Sequence, residues 1–238
     1  SLFSPPANEP EKGAPLSSSG AGERPEILQG VALPRHVGII MDGNGRWAKT
    51  RGQPRIFGHR EGAKTVRLIT EAAARWGLEV VTLYSFSTEN WKRPEQEVAD
   101  LMGLFRLYLR SELKSMIKNG IRLRVIGNRK DLSPELQALI AEVEEKTSHC
   151  NKLVLQLAVS YGGRQDIVQA TRALAEKVAS GELAPEGISA ETISQHLSTS
   201  GTTDPDLIIR TSGELRLSNF LLWESAYTEL FFAEVLWP

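Results

Sequence analysis

Apolar positions follow two rhythms along this chain, and the rhythms alternate. Short, nearly unbroken apolar runs at residues 37–41, 80–86, 121–126, 153–159, 207–209 and 230–235 read as buried strands. Between them, longer stretches repeat apolar residues at helical spacing. Residues 61–76 place Ala63, Val66, Ile69 and Ala73 on one face, and Gly77 stops the helix. Pro94 opens a long amphipathic helix to about residue 119, with Val98, Leu101, Leu104, Phe105, Tyr108 and Leu109 in one stripe and Gly120 beyond it. Ser133-Pro134-Glu135 reads as a cap for a helix to about residue 149, and further helices are expected over 165–179 and 189–197. Strands separated by helices imply right-handed crossovers and an α/β domain with a mainly parallel sheet. Such sheets place ligands at the carboxyl ends of their strands. Asp42 and the segments 87–93, 162–164 and 210–218 all follow expected strands, so four polar clusters should meet on one edge.

Residues 1–33 break the pattern. They hold Pro5, Pro6, Pro10, Pro15 and Pro25, a Ser17-Ser18-Ser19-Gly20 run and few large apolar groups, which reads as a disordered tail. Residues 34–238 are then a single domain. The 238 residues, 41% hydrophobic, suit one α/β domain with a tail. A net charge of −1 gives no global footprint for nucleic acid, so anion binding must come from local arginine clusters. Cys150 has no second thiol, so no disulfide forms within the chain, which fits a reducing compartment. No apolar run is long enough for a membrane helix, and no basic patch precedes an apolar core as in a signal peptide.

The candidate chemistry begins where the first apolar run ends in a carboxylate, Asp42-Gly43-Asn44-Gly45-Arg46-Trp47. A buried strand feeding a Gly-rich turn exposes backbone N–H groups to an anion, and Asp42 can hold a divalent cation beside it. An ordinary tight turn is the rival reading, since Asp-Gly and Asn-Gly are common turn pairs. The dinucleotide fingerprint is absent, because Ala48 fills the third glycine position, and no Gly-Lys-Ser/Thr loop occurs. Ser87 to Arg93 reads as a mobile loop that closes over a ligand, rather than a plain surface loop. Arg210 and Arg216 with their neighbouring hydroxyls match phosphate oxygens, an ion-pair network through Glu214 being the alternative. Glu229 sits among apolar residues, where a carboxylate needs a cation or a donor.

Five blocks in order, HVGIIMDGNGRWAK (36–49), FGHREGA (57–63), YSFSTENWKRP (84–94), SYGGRQDIV (160–168) and IRTSGELRLSNFLLW (209–223), are followed by AYTELFF (226–232). Together they resemble the cis-prenyltransferases, the undecaprenyl diphosphate synthase family. The Asp-rich DDxxD motif of the trans class is missing. The resemblance implies a single α/β catalytic domain with a six-stranded parallel core and an apolar tunnel. It also implies a cytoplasmic homodimer that visits the membrane surface, and magnesium-dependent addition of isopentenyl diphosphate to an allylic primer such as farnesyl diphosphate, with Z double bonds. Carried over by position, Asp42 is the catalytic aspartate, and Gly43, Asn44, Gly45 and Arg46 cradle the allylic diphosphate with Arg55 and His59. Trp47 and Trp91 shape the substrate. Ser87, Thr88 and Glu89 lie in the flexible loop, Asn90 helps remove the proton, and Arg93 is a further diphosphate contact. Arg210, Arg216, Leu217 and Ser218 resemble the isopentenyl diphosphate site. Glu229 resembles the second magnesium carboxylate, expected beside Asp42. Two departures stand out. Ser212 replaces a common glycine, with little effect expected, and the stop at Leu236-Trp237-Pro238 leads to the expectation that a basic tail with an Arg-x-Gly motif has been trimmed.

Overall fold

The computed structural model describes residues 23–238. Most of the expected tail, residues 1–22, lies outside the described residues. Of the remainder, Glu26–Leu28 form a turn of 3-10 helix with no buried side chain, and Leu33 packs against the core.

The elements run β1 (His36–Ile40), α1 (Asn44–Thr50), α2 (Arg55–Trp76), β2 (Val80–Ser87), α3 (Glu95–Lys118), β3 (Ile121–Ile126), α4 (Pro134–Lys146), β4 (Leu153–Tyr161), α5 (Gly163–Ala179), α6 (Ala190–His196), β5 (Leu207–Arg210) and β6 (Glu229–Phe232). The six strands form one sheet in the order β3-β4-β2-β1-β5-β6, with every neighbouring pair parallel. The parallel six-stranded core is therefore as expected. β1 lies inside the sheet, and all five of its residues are buried, as a strand covered on both faces requires. Alternate residues face opposite layers. Val37 and Ile39 join the main core with side chains of α2, α3 and α4, while Ile40 joins Ile208, Phe220 and Leu221 on the other side.

Strand order reverses around β1, because β2 flanks it on one side and β5 on the other. A crevice opens where successive connections leave in opposite directions. The chain segments after β1 and β5 start at this point.

Three local features differ from the expectations. Asp42-Gly43-Asn44-Gly45-Arg46 reads as a Gly-rich turn, but Asn44–Thr50 form α1, entered through Gly43 at φ 112°. α2 begins at Arg55 rather than residue 61, directly after Pro54. Gly58 and Gly62 interrupt its apolar periodicity for a packing reason. A Cβ on Gly58 would stand 2.0 Å from the Asn44 carbonyl oxygen, and one on Gly62 would stand 2.7 Å from Asn44 Oδ1. Finally, the segment expected as an irregular loop over the ligand contains a 3-10 turn, Thr88–Lys92, closed by a capping box between Ser87 and Asn90.

The β2–β4 ladder slips twice at its outgoing end. Tyr84 pairs with Ala158, Phe86 with Val159, and Ser87 with Tyr161, so Ser85 and then Ser160 are the extra residues. Ser160 takes φ 50°, a left-handed conformation uncommon for serine.

Glycine should matter at Gly58 and not at Gly103, where an added Cβ meets nothing within 4 Å. Gly58→Ala is expected to lose about 1–3 kcal/mol through overpacking. Gly103→Ala should gain roughly 0.5–1 kcal/mol inside its helix. Urea midpoints of the two variants check both signs.

Candidate active site

Asp42 leaves β1 at the switch point, and its neighbours fix it from three sides. Its backbone N–H donates to Thr211 Oγ1 at 2.9 Å, and the Thr211 hydroxyl donates to the Asp42 carbonyl at 2.6 Å. Trp237 N–H donates to the same carbonyl at 3.1 Å. Leu236 packs so closely behind Gly43 that a Cβ there would lie 2.8 Å from it. The carboxylate Oδ2 accepts from Arg210 Nη2 at 2.9 Å. Arg210, 5% exposed, also donates from Nη1 to the Arg216 carbonyl at 2.7 Å and to Ser218 Oγ at 2.6 Å. Burial works against ionisation of Asp42. The hydrogen bond and charge of Arg210, with the charge of Arg46, prevail and hold its carboxyl below the usual range.

α1 starts immediately after this carboxylate. Gly43 offers it no side-chain cap, so the first-turn N–H groups remain for an anion. Gly45 lets the Arg55 guanidinium come close, since a Cβ there would lie 3.3 Å from it. Around the rim, guanidinium groups are paired in advance. Arg55 and Arg93 both reach Glu97 Oε1, at 3.4 and 2.6 Å. Arg46 and Arg216 both reach Glu214, at 3.8 and 2.7 Å.

Arg93 and Arg210 border a polar cleft of about 570 Å³ whose walls also include Asp42, Asn44, His59, Ser87, Glu89, Asn90 and Ser218, and Arg46, Arg55 and Arg216 stand outside that wall. Behind it lies an apolar cavity of about 120 Å³ walled by Val66, Leu101, Met102, Leu104, Phe105 and Tyr108, among others. Met41, Asn44, His59, Ser85 and Leu101 belong to both. The α3 stripe thus divides, with Leu109 fully buried in the core and its neighbours lining the cavity.

His59 stands at this junction. Its Nδ1 is 3.3 Å from Asn44 Nδ2, a donor, so Nδ1 accepts and the proton sits on Nε2. Nε2 and Asn44 Oδ1 are both buried without a partner, as expected of a wall awaiting a polar ligand. Burial, then the charges of Arg93 and Arg55, push the imidazole down to about 4, against a smaller opposing effect of Glu97.

Not every expected residue reaches the cleft. Trp47 stacks on Phe57 at 5.9 Å and carries Arg51 over its other surface. Trp91 packs edge-on against Phe86. Thr88 bonds Glu89, and Leu217 packs against the Ile208 and Phe220 cluster. Glu229 does not stand beside Asp42 within this chain. It opens β6 in register with Leu207, which pairs with Val37, so it lies exposed at the amino edge of a parallel sheet while Asp42 lies beyond the carboxyl edge. Ser212 has a cost that was not expected. It sits at φ 81° with its buried Oγ unpartnered, in a conformation glycine adopts freely. Sequence reasoning passed over Tyr84, Glu97 and Asn219. Tyr84 reads as one more apolar strand residue, although it is the last before the β2 slip and its hydroxyl reaches the Ser218 carbonyl at 3.2 Å.

The depressed His59 value has a definite sign. Between pH 6.5 and 4 the unfolded chain binds the proton and the folded chain does not, so stability falls as pH drops through that window. Replacing His59 with Gln should flatten this part of the urea-midpoint profile. An equally steep fall in both proteins would mean that the folded imidazole is already charged.

Comparison with known proteins gives one consistent answer. A family profile described as "Putative undecaprenyl diphosphate synthase" matches residues 40–238. The ditrans,polycis-undecaprenyl-diphosphate synthase ((2E,6E)-farnesyl-diphosphate specific) of Vibrio cholerae is 52% identical over 206 residues, covering 87% of this chain and 82% of that protein. Among solved structures, lavandulyl diphosphate synthase from Lavandula x intermedia, in complex with dimethylallyl diphosphate, superposes with a TM-score of 0.83 at 39% identity, over 86% of this chain and 89% of the other. A probable undecaprenyl diphosphate synthase from Campylobacter jejuni gives 0.68 at 35% identity, over 83% and 84%. The chain belongs to the isoprenyl transferases, the cis-prenyltransferase family of the undecaprenyl diphosphate synthases.

Proposed function

We propose that this cleft condenses isopentenyl diphosphate repeatedly onto farnesyl diphosphate to give a long Z-polyprenyl diphosphate, undecaprenyl diphosphate, for the lipid carrier of cell-wall synthesis. The observation that carries the reading is the shared wall. A polar mouth holding Arg93 and Arg210 at the strand ends opens through Met41, Asn44, His59, Ser85 and Leu101 onto an apolar cavity between α2 and α3. A substrate with an anionic head and a hydrocarbon tail needs both halves.

In this reading the allylic carbon–oxygen bond breaks, diphosphate departs, and the isopentenyl double bond takes the allylic carbon and then loses a proton. The α1 N–H groups and Arg46, Arg55 and Arg93 stabilise charge on the departing diphosphate. Arg210, Arg216 and Ser218 hold the isopentenyl diphosphate. Asn90, whose Oδ1 accepts from Ser87 N–H at 3.0 Å, is oriented for the proton-removal step. Neutral His59 turns an N–H toward the diphosphate without adding to the crowd of cations. The ordered 87–93 segment excludes water, which would otherwise capture the cation.

Asp42 suits magnesium. Among the described residues no group of three His, Cys, Asp or Glu side chains gathers, and magnesium characteristically takes one or two carboxylates together with substrate phosphates. When bound, magnesium supplies further positive charge to the diphosphate oxygens. The chain acts as a homodimer in this proposal, supported by Tyr227, Leu230, Phe231 and Val235, exposed on and beside the edge strand β6. No described helix is long and apolar enough to cross a membrane. We assign the enzyme to the cytoplasm, with transient contact at the membrane surface where its apolar product is delivered.

Incubation with radiolabelled isopentenyl diphosphate, farnesyl diphosphate and magnesium, followed by chain-length analysis, tests the activity. Failure to incorporate label would refute it. Asp42→Ala should keep the circular dichroism of the fold and lose at least about a hundredfold in turnover, the scale of one lost electrostatic group. Near-normal turnover would remove Asp42 from the mechanism. Arg216→Ala should raise KM for isopentenyl diphosphate more than for farnesyl diphosphate, and equal effects would undo the two-site assignment.

A further inference from the structure

The slip at the end of β4 does something the reaction scheme leaves unused. Ser160 is the residue bypassed by the β2 ladder, is 1% exposed, and holds a left-handed backbone at φ 50°. Bulges of this kind re-aim a side chain, and left-handed serine persists only where its surroundings enforce it. Here the hydroxyl lands between two partners. Trp91 Nε1–H donates to Ser160 Oγ at 2.8 Å, and the Ser160 hydroxyl donates to Asp131 Oδ2 at 2.6 Å. A hydroxyl can accept and donate at once, so the chain of bonds has a single direction and ends on a carboxylate, which strengthens the last link.

The far side of this relay is rigid. Asp131 Oδ1 accepts from Asn128 Nδ2 at 3.1 Å, and Asn128 N–H donates to the Ser160 carbonyl at 3.0 Å, which closes a ring. Gly127 lets that turn press onto β4, since a Cβ there would lie 2.1 Å from the Val159 carbonyl oxygen. The near side is the 3-10 turn that carries Asn90, one residue before Trp91. The opening half of that turn is held separately, by the Ser87–Asn90 capping box and by Asn219 Nδ2 donating to Glu89 Oε1 at 3.2 Å. Neither Ser160 nor Asp131 is among the residues lining the cleft, and their side-chain bonds reach the Asn90 segment through Trp91.

We propose that Ser160 and Asp131 are positioning residues that latch the Asn90–Trp91 segment over the cleft through the Trp91 indole. The catalytic consequence rests on the reading in which Asn90 acts in the reaction; the latch itself does not.

Ser160→Gly keeps the left-handed backbone at no steric cost and deletes the hydroxyl. Ser160→Asn also tolerates that backbone, and its carboxamide can both accept from the indole and donate to the carboxylate. In ligand-free protein, hydrogen exchange at amides 88–92 should quicken about tenfold in Ser160→Gly, the scale of one lost hydrogen bond, and return toward normal in Ser160→Asn. Asp131→Ala, on an exposed turn, leaves β4 untouched and should quicken the same amides by a smaller factor, about threefold. With labelled substrates, kcat should fall about tenfold in Ser160→Gly while KM for both diphosphates stays within about twofold, and Ser160→Asn should recover the rate. Unchanged exchange over 88–92 in Ser160→Gly and Asp131→Ala overturns the latch, whatever the activity. Quicker exchange with unchanged kcat overturns the positioning role. A parallel Asn90→Ala arm separates the two levels, because normal turnover there discards the role of Asn90 while the exchange result still decides the latch.

Discussion

The pair between Arg210 and Asp42 is the contact from which the site is built. A guanidinium that is 5% exposed must be matched by an anion and by acceptors for its remaining N–H groups. Asp42, the Arg216 carbonyl and Ser218 supply them for Nη1 and Nη2, while Nε is buried without a partner. The pair joins the exits of β1 and β5, neighbours in the sheet but 168 positions apart in the chain. It therefore fixes the mouth of the crevice and holds the Asp42 carboxyl ionised. Loss of the carboxylate would strand a buried cation, a penalty softened by the partial exposure of Asp42. Fold and chemistry therefore meet at this bond.

The rim follows a similar rule. Five guanidinium groups share three carboxylates, those of Asp42, Glu97 and Glu214. Each arginine is thus held in place before a ligand arrives, which lowers the ordering cost of binding. Positive charge still remains in excess, and a diphosphate is the size and charge to take it up. Burial first, and then this surplus, keeps His59 neutral, since another cation in that wall would meet Arg93 and Arg55.

Much of this was legible in the sequence, for physical reasons that differ by element. Unbroken apolar runs mark strands buried on both faces, so β1 through β5 were found within a residue or two. α1 was hidden because Asp-Gly-Asn-Gly has the composition of a turn. The first turns of α2 were hidden because Gly58 and Gly62 answer to Asn44 on another helix, a demand that leaves no trace in periodicity. Glu229 is more instructive. It precedes an apolar run, and the rule that places Asp42 after its strand at the carboxyl edge places Glu229 at the amino edge, against what the family pattern implies. The two ladder slips had no signal, since the apolar run before Ser160 simply stops. The resemblance gives the Trp91 indole to the substrate, and nothing in the sequence points to its partner Ser160 on β4.

Trp237 carries a consequence for how the enzyme comes into being. Its backbone N–H holds the Asp42 carbonyl and its indole N–H holds the Gly62 carbonyl at 3.0 Å, while Leu236 backs Gly43. The first strand and its glycine turn leave the ribosome early, yet the residues that brace them are made late. A nascent chain can lay down all six strands and still possess no finished pocket, so the pocket is completed only once Leu236 and Trp237 have followed β6.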